Sequence, residues 1–194
     1  MSPLPATPGS GTLILVVGPS GAGKDTLLDA ARAHFRDDET IVFQRRFITR
    51  GDQIGEQHSA LSQAEFAHRE AEGGFFLYWR AHGFDYGIAA EALDKLVAGK
   101  TVVLNVSRRI VGEARQKWPR THVVQVTARP EVLRERLLAR GRENSDGIGM
   151  RLERAGEIRL GPAEWLSELD NSSDLPSAVA RFTALIRQAA SSAG

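Results

Sequence analysis

The feature that most constrains this chain is a glycine-rich segment that lies between an apolar run and an amphipathic stretch. The segment reads Gly18, Pro19, Ser20, Gly21, Ala22, Gly23, Lys24 and Asp25. The apolar run over residues 12–17 is typical of a strand that is buried on both faces of a parallel sheet. A G-x-x-x-x-G-K pattern between such a strand and a helix predicts a loop whose backbone N–H groups surround phosphate oxygens. Lys24 is then expected to contact the β- and γ-phosphates of a bound nucleotide.

The residue that follows Lys24 departs from the usual form of this loop. That position usually carries a Ser or Thr whose hydroxyl ligates Mg²⁺, and in this chain it is Asp25. A carboxylate is an equally hard oxygen ligand, and an anion is favourable at a helix N-terminus. Thr26 offers a hydroxyl beside it, so both residues are candidate ligands of Mg²⁺. The loop residues together with Thr26 form the predicted core of an ATP site.

Strand-like and helix-like segments alternate along the chain, which favours an α/β fold with a parallel sheet and right-handed crossovers. Further apolar runs of the strand type cover residues 41–43, 101–106 and 121–126. Apolar residues at three- and four-residue spacing predict helices over 26–35, 63–71, 89–98, 110–118, 130–140 and 175–190. We predict a disordered leader over residues 1–11 and one domain over residues 12–194. This domain is a P-loop NTPase-type parallel sheet flanked by helices.

The composition excludes several classes of function. The chain has no cysteine, so it holds no disulfide, zinc–thiolate site, iron–sulfur cluster or thiol nucleophile. Its 25 Lys and Arg against 24 Asp and Glu leave a net charge of +1, which attracts neither nucleic acid nor an acidic membrane. No apolar run approaches the roughly 20 residues of a membrane span, and the N-terminus lacks a signal-peptide pattern. We expect a cytoplasmic protein whose partners are small molecules.

Several further motifs accompany the phosphate-binding loop. They are Ile48-Thr49-Arg50, Leu61-Ser62 with Glu65-Phe66, His82-Gly83-Phe84-Asp85-Tyr86-Gly87, the arginines Arg136, Arg140 and Arg151, and Asn171. Together with the loop, these motifs resemble the guanylate kinases over roughly residues 12–185. The resemblance implies a guanylate kinase-like core with a substrate-binding arm at about residues 45–90 and a mobile lid at about residues 140–155.

Two positions at which guanylate kinases read guanine differ in this chain. Where that family carries a glutamate and a Ser or Thr, this chain has Tyr78 and Ile88. A site without those hydrogen-bonding groups loses most of its discrimination for guanine. The changed motifs are similar to those of the ribose 1,5-bisphosphate phosphokinases of phosphonate breakdown, which use ATP to make 5-phosphoribosyl 1-diphosphate. They are Gly23-Lys24-Asp25, Arg46-x-Ile48-Thr49-Arg50, His58-x-Ala60-Leu61-Ser62-x-x-Glu65-Phe66, Asn105-x-Ser107-Arg108 and Arg140-Gly141-Arg142-Glu143-Asn144.

This resemblance implies roles for individual side chains. The implied substrate-binding residues are Arg46, Arg50, His58, Tyr86, Asn105, Ser107 and Arg108, and Arg80 and Arg109 are additional cations available around the sugar. The implied catalytic residues are Lys24 with the lid arginines Arg140 and Arg151, for which Arg136 is the alternative. On the ATP side, Arg142 is expected to stack on adenine and Asn171 to complete the site.

The chemistry of this reaction agrees with the residues present. The acceptor carries two phosphates and no base, so its site needs more cations and fewer base-reading groups than a site for guanosine monophosphate. An acceptor phosphate is already anionic near neutral pH, so catalysis needs positioning and charge neutralisation rather than a strong base. Guanylate kinases keep an aspartate at the position of Ser107. We hypothesise that the carboxylate that organises Mg²⁺ has moved to Asp25 and has left Ser107 to face the sugar.

Two other functions are compatible with parts of this pattern. A nucleoside monophosphate kinase with altered base preference shares the ATP half and differs only in the acceptor pocket. A non-catalytic, guanylate kinase-like interaction module belongs to a different class, and such modules tend to lose the phosphate-binding loop. The intact loop with Lys24 therefore argues for an enzyme.

Overall fold

The computed structural model describes residues 11–49, 58–81, 83–139, 160 and 163–191 of the chain. The strands in these residues are β1 (Leu13–Val17), β2 (Ile41–Phe43), β3 (Arg46–Ile48), β4 (His58–Ala60), β5 (Phe75–Ala81), β6 (Phe84–Ala89), β7 (Thr101–Asn105), β8 (Thr121–Thr127) and β9 (Leu166–Asp170). The helices are α1 (Lys24–His34), α2 (Gln63–Ala71), α3 (Glu91–Val97), α4 (Val111–Lys117), α5 (Pro130–Ala139) and α6 (Leu175–Ser191), and a 3₁₀ turn spans Arg108–Ile110. None of these helices is long and apolar enough to cross a membrane.

β1 is the central strand of a five-stranded sheet with the order β2-β7-β1-β8-β9. Every neighbouring pair in this sheet is parallel, and Ile14, for example, lies opposite Val103 of β7 and His122 of β8. The predicted α/β fold with a parallel sheet is thus confirmed. The carboxyl end of β1 runs directly into the glycine-rich loop, at the edge of the sheet where open α/β folds bind their ligands.

The side chains of β1 pack on both faces of the sheet, which explains why the strand is apolar throughout. Ile14 and Val16 belong to a core cluster that includes residues of α1 and α6, whereas Leu13, Leu15 and Val17 belong to a cluster that includes residues of α3 and α4. All five side chains are completely buried. The strand that precedes the loop is therefore held rigidly between two packed layers.

A second, four-stranded sheet has the order β4-β3-β6-β5 and forms the arm. Its outer face is covered by α2, whose Phe66 ring stacks on Phe75 of β5 with 4.5 Å between ring centroids. On its inner face, Leu77 and Ile88 belong to the same core cluster as Leu15 of the main sheet. The arm is thus anchored in the core rather than attached by loops alone.

The apolar runs predicted from the sequence do not include the four arm strands or β9. β5 is not among them, although residues 75–79 form a run of apolar and aromatic residues. β3 and β4 each include polar residues, so neither is an apolar run. β9 is an edge strand in which Leu166 and Leu169 are separated by two polar residues, so it has no continuous apolar run. The predicted helix over 89–98 begins later than expected, at Glu91, because Ala89 is the last residue of β6.

The motif Ser62-x-x-Glu65 has a structural function in this fold. Ser62 precedes α2, and its hydroxyl accepts a hydrogen bond from the backbone N–H of Glu65. The Glu65 carboxylate accepts hydrogen bonds from the hydroxyl and from the backbone N–H of Ser62, both at 2.7 Å, and these two bonds lower the pKa of the Glu65 carboxyl. The arrangement is a capping box, which satisfies backbone donors at the start of the helix.

We expect Ser62→Ala to destabilise the protein by about 1 kcal/mol, because an alanine cap leaves helix N–H groups without an acceptor. Urea-induced unfolding followed by circular dichroism measures this loss. Ser62→Asp is the matched control, because aspartate also caps helices and is expected to retain most of the stability. Equal stability of the alanine variant and the wild type would contradict the capping role.

The stability of the fold is also expected to depend on His122 in mildly acidic solution. Burial lowers the pKa of the His122 imidazole, which lies 3.0 Å from the hydroxyl of Ser167. The unfolded state therefore binds more protons between this lowered pKa and the ordinary value of about 6.5, so stability falls as the pH drops through that window. Between about pH 8 and about pH 5.5, we expect the Tm of the wild type to fall further than that of His122→Gln. Parallel decreases in Tm would exclude His122 as the cause.

Candidate active site

The glycine-rich loop is packed so closely against the sheet that side chains are excluded at two of its positions. Gly18 and Gly23 have φ angles of 146° and 83°, which L-residues with side chains rarely adopt. A Cβ atom on Gly18 would lie 2.2 Å from the carbonyl oxygen of Val126, and one on Gly23 would lie 2.4 Å from Nδ2 of Asn171. The glycines predicted from the motif are thus required by the backbone as well as by a phosphate ligand.

Lys24 is the first residue of α1 and turns back over the loop. Its Nζ donates hydrogen bonds of 2.9 Å to the carbonyl oxygens of Gly18 and Pro19. These contacts hold the ammonium charge across the mouth of the loop. A phosphate bound by the loop N–H groups at the N-terminus of α1 would therefore lie beside this cation.

Asn171 braces the loop from the side of β9. It is only 3% exposed, and its Nδ2 donates a 2.8 Å hydrogen bond to the carbonyl oxygen of Ala22. Arg136 of α5 in turn donates to the carbonyl oxygen of Asn171 at 3.0 Å. The structure thus brings the predicted Asn171 to the loop, where its observed contact is with the backbone.

Arg136 also carries an unsatisfied group beside the loop. Its Nη1 is buried and has no hydrogen-bond partner among the described residues. A buried guanidinium nitrogen without an acceptor is costly, and an anion at the loop would supply one. Arg136, the alternative to the lid arginines, therefore lies directly beside the glycine-rich loop.

Asp25 lies in the first turn of α1, where its Oδ1 accepts a 2.8 Å hydrogen bond from Nδ2 of Asn105. Thr26, the other candidate metal ligand, is exposed. Carboxylate and hydroxyl oxygens are suitable ligands for Mg²⁺, which commonly uses one or two protein groups together with substrate phosphates and water. The described residues contain no group of three acidic or histidine side chains that could hold a metal by itself. The donor set therefore fits a Mg²⁺ ion that arrives with its nucleotide.

A cleft lies between α1 and the carboxyl ends of β2 and β7. Its walls are formed by Asp25, Leu28, Asp29, Arg32, Phe43, Gln44, Arg46, Val103 and Asn105. Both acidic and basic groups are present, and Arg32 is paired with Asp29 at 3.1 Å. Arg32 and Asp29 were not predicted as site residues, although their spacing from Asp25 along α1 puts all three on one helical face.

Arg46 is one of two predicted acceptor ligands that line this cleft, and Asn105 is the other. The guanidinium carbon of Arg46 lies 5.7 Å from the centroid of the Tyr86 ring, within the range of a cation–π contact. Its Nε is buried without a hydrogen-bond partner among the described residues. Tyr86 is itself stacked on Trp79, with centroids 5.2 Å apart. Arg46 and Tyr86 are therefore brought together as predicted, and Trp79 is a supporting residue that the motifs did not reveal.

Other predicted substrate residues have different surroundings. Ser107 accepts a 3.4 Å hydrogen bond from the backbone N–H of Arg109 and so caps the 3₁₀ turn. Arg108 is half-buried, which lowers the pKa of its guanidinium, and Arg109 is exposed. None of these three residues lines the cleft. Ser107 therefore has a local structural role in addition to the role predicted for it.

Arg80 lies on the outer face of the arm and does not face the cleft. It forms salt bridges of 3.0 Å with Asp85 and 3.2 Å with Glu70 of α2. Its placement follows from strand alternation, since Trp79 shares the inner face with Tyr86 and the next residue must point outwards. The expectation that Arg80 is available around the sugar is wrong for this arrangement.

The two positions that depart from guanylate kinases do not face the cleft either. Ile88 is completely buried in the core cluster. Tyr78 is 39% exposed and lies opposite Gly87, on the face of the arm that also carries Phe75. Neither side chain therefore offers a contact to an acceptor in this cleft.

Some predicted site residues lie outside the described part of the chain. These are Arg50, Arg140, Arg142 and Arg151, together with His82. For His58 only the backbone is described, and it pairs with Arg46 in the arm sheet.

The comparisons with known proteins agree with this geometry. A family model described as an AAA domain matches residues 14–155. A ribose 1,5-bisphosphate phosphokinase of Brucella melitensis is 41% identical over 173 residues, which cover 89% of this chain and 90% of the relative. The corresponding protein of Bradyrhizobium diazoefficiens is 46% identical over 149 residues, with coverages of 77% and 75%.

Longer proteins and solved structures are also similar to this chain. A bifunctional ribose 1,5-bisphosphokinase-thymidine phosphorylase of Cupriavidus pinatubonensis is 44% identical over 93% of this chain, which spans only 30% of that relative. The guanylate kinase of Anaplasma phagocytophilum superposes with a TM-score of 0.66 at 16% identity and covers 93% of this chain and 87% of that one. At such low identity, the likeness supports the fold alone.

We expect Asn171→Ala to weaken nucleotide binding by about tenfold, because it leaves the Ala22 carbonyl unpaired and removes the brace of the loop. Calorimetric titration with ADP measures the affinity, and thermal unfolding shows whether the fold is retained. Ser172→Ala, a polar truncation at the next residue, is the control and should keep the affinity. Unchanged ADP affinity in Asn171→Ala would show that the brace does not affect the loop.

Proposed function

The chain belongs to the ribose 1,5-bisphosphate phosphokinase family, and we propose that it transfers the γ-phosphate of ATP to ribose 1,5-bisphosphate. The products are 5-phosphoribosyl 1-diphosphate and ADP, in the breakdown of phosphonates. The observation that carries this proposal is a single cleft in which the helix of an intact phosphate-binding loop faces Arg46 of the arm. The donor and acceptor halves of a kinase site therefore adjoin each other.

The reaction requires little covalent chemistry from the protein. An oxygen of the acceptor's 1-phosphate attacks the γ-phosphorus in line, and the bond from that phosphorus to the bridging oxygen of ADP breaks. The attacking oxygen is largely deprotonated at neutral pH, since the second pKa of such a phosphate is about 6. Catalysis therefore consists of alignment and stabilisation of charge.

On the donor side, the loop N–H groups and Lys24 hold the β- and γ-phosphates. Mg²⁺, when bound, neutralises negative charge on the phosphate oxygens as it shifts towards ADP. Asp25 is the proposed protein ligand of this ion, with Thr26 as the alternative. We further propose that Arg140 and Arg151 cover the transferring group, while Arg142 and Asn171 serve the remainder of the ATP site.

On the acceptor side, Arg46 and Arg50 are proposed to bind the phosphate that does not react. The buried Nε of Arg46 has no hydrogen-bond partner in the described part of the chain, which supports this role because a phosphate oxygen would satisfy it. Tyr86, His58, Ser107 and Arg108 are proposed to contact the rest of the acceptor. Because the substrates are metabolites that are phosphorylated with ATP, we propose a cytoplasmic location.

The first experiment offers ribose 1,5-bisphosphate and guanosine monophosphate separately to the protein with ATP and Mg²⁺. We expect turnover of the sugar bisphosphate alone, with 5-phosphoribosyl 1-diphosphate identified by phosphorus NMR. Turnover of guanosine monophosphate alone would overturn the proposed acceptor and support a nucleoside monophosphate kinase. No turnover of either, with ADP still bound, would leave only a nucleotide-binding protein and also contradict the proposal.

The role of Arg46 is tested by Arg46→Ala. We expect the KM for ribose 1,5-bisphosphate to rise about 10- to 100-fold, because a hydrogen-bonded charge pair with the phosphate is lost, while the KM for ATP changes little. Arg80→Ala is the matched control, because it removes an arginine of the same arm that is paired on the outer face. Equal effects of both substitutions would mean that the arm acts only through its overall charge.

A further inference from the structure

We propose that Asn105 is a positioning residue that holds the Asp25 carboxylate in place for Mg²⁺, rather than mainly a ligand of the sugar. This inference rests on the proposed function, because it concerns the metal that accompanies the nucleotide. It assigns to Asn105 a task on the donor side of the site. The resemblance to known kinases had implied a task on the acceptor side only.

The contact between the two residues has a defined direction. Nδ2 of Asn105 lies 2.8 Å from Oδ1 of Asp25, and both side chains are partly buried. An ionised carboxylate only accepts hydrogen bonds, so the amide must present its NH₂ group to it. One oxygen of Asp25 is then held by Asn105, and the other oxygen is the one that we propose binds the cation.

The position of Asn105 makes it a rigid support. It is the last residue of β7, and it lies opposite Val16 of β1, the strand that leads into the phosphate-binding loop. Asp25 lies in the first turn of the helix that follows the same loop. The hydrogen bond therefore joins the strand beside β1 to the helix that follows the loop, across 80 residues of sequence. A ligand fixed from a strand in this way loses little freedom when it binds a metal.

The side chain at position 105 is constrained by the carboxylate at position 25. If the loop residue carried a hydroxyl, a carboxylate at the end of the neighbouring strand could accept a hydrogen bond from it. With Asp25 in the loop, a second carboxylate at 2.8 Å would repel it, whereas an amide donates to it. The amide of Asn105 is thus the partner that an acidic loop residue needs.

This arrangement limits what Asn105 can offer to the acceptor. One N–H of its amide is used by Asp25, so the second N–H and Oδ1 are what it can offer to another ligand. Asn105 and Asp25 also line the same cleft. Asn105 therefore lies near both the proposed acceptor site and Asp25, the proposed metal ligand. Its observed hydrogen bond is with Asp25.

The test is a double-mutant cycle on metal binding, with Mn²⁺ as the probe. Paramagnetic resonance measures the affinity of Mn²⁺ for the complex of the full-length protein with ADP, and no acceptor is needed. We expect Asn105→Ala to weaken Mn²⁺ binding about 10- to 100-fold, as is usual when a residue that orients a metal ligand is removed. In an Asp25→Ala background, Asn105→Ala should have little further effect, because the carboxylate it orients is absent.

Gln44→Ala is the matched control, because Gln44 is another amide in the same cleft whose oxygen binds Lys95 at 2.6 Å. Its Mn²⁺ affinity should equal that of the wild type, and thermal unfolding should show each variant to be folded. Two results overturn the proposal: wild-type Mn²⁺ affinity in Asn105→Ala, or an undiminished effect in the Asp25→Ala background. A higher KM for ribose 1,5-bisphosphate with normal Mn²⁺ affinity would identify Asn105 as a sugar ligand instead.

This experiment also separates the inference from the proposed function. If the protein fails to phosphorylate ribose 1,5-bisphosphate but the Mn²⁺ cycle shows coupling, the acceptor assignment is wrong and the role of Asn105 stands. If the sugar is phosphorylated and the cycle shows no coupling, the proposed function stands and the role of Asn105 is wrong.

Discussion

The site depends on the close contact between the phosphate-binding loop and the end of the central sheet. The loop contains backbone conformations that are unfavourable for most residues, so it needs support from all sides. β1 supplies that support below the loop, because its side chains are buried on both faces. Asn171 and α5 supply it laterally, since Asn171 binds the Ala22 carbonyl and Leu137 lies against Gly21. The N–H groups of the loop are thereby fixed before any phosphate arrives, which reduces the cost of binding.

Local charge, rather than overall charge, adapts this loop to its reaction. The net charge of the whole chain is only +1. At the site, however, Arg32 and Arg46 line a cleft that also contains Asp25, and Lys24 precedes Asp25 at the start of α1. The proposed ligands are polyanions that bring a divalent cation with them. A site of mixed sign can accommodate both, because the arginines and the lysine pair with phosphates and the carboxylate pairs with the metal.

The arm depends on the core for the position of its functional side chains. Leu77 and Ile88 on the inner face pack in the same cluster as Leu15, so the strands that carry Arg46 and Tyr86 are fixed relative to the main sheet. A hydrogen bond from Lys117 to the Phe76 carbonyl, at 2.9 Å, adds a polar tie between α4 and the arm. The acceptor side of the cleft is therefore set by the same apolar packing that stabilises the fold.

The motifs by themselves determined the phosphate-binding loop and the parallel sheet. Both predictions rest on residues that are neighbours in sequence. The conformational freedom of glycine and the tendency of an apolar run to be buried are local properties of the chain. The family pattern also led to Arg46 and Tyr86. The family pattern placed Ser62 and Glu65 in the substrate arm but did not indicate their function. The structure shows that they form the capping box at the start of α2.

Only the tertiary structure decided which distant side chains meet. Asn171 and Ala22 are 149 residues apart, and Asn105 and Asp25 are 80 residues apart, so no local pattern connects them. The two arginines of the arm make the same point, because Arg46 lines the cleft and Arg80 faces outwards. Both residues are arginines, so the sequence alone does not show which of them faces the cleft. Strand register determines which face each of them occupies, and that register is set by the burial of apolar residues in the assembled core.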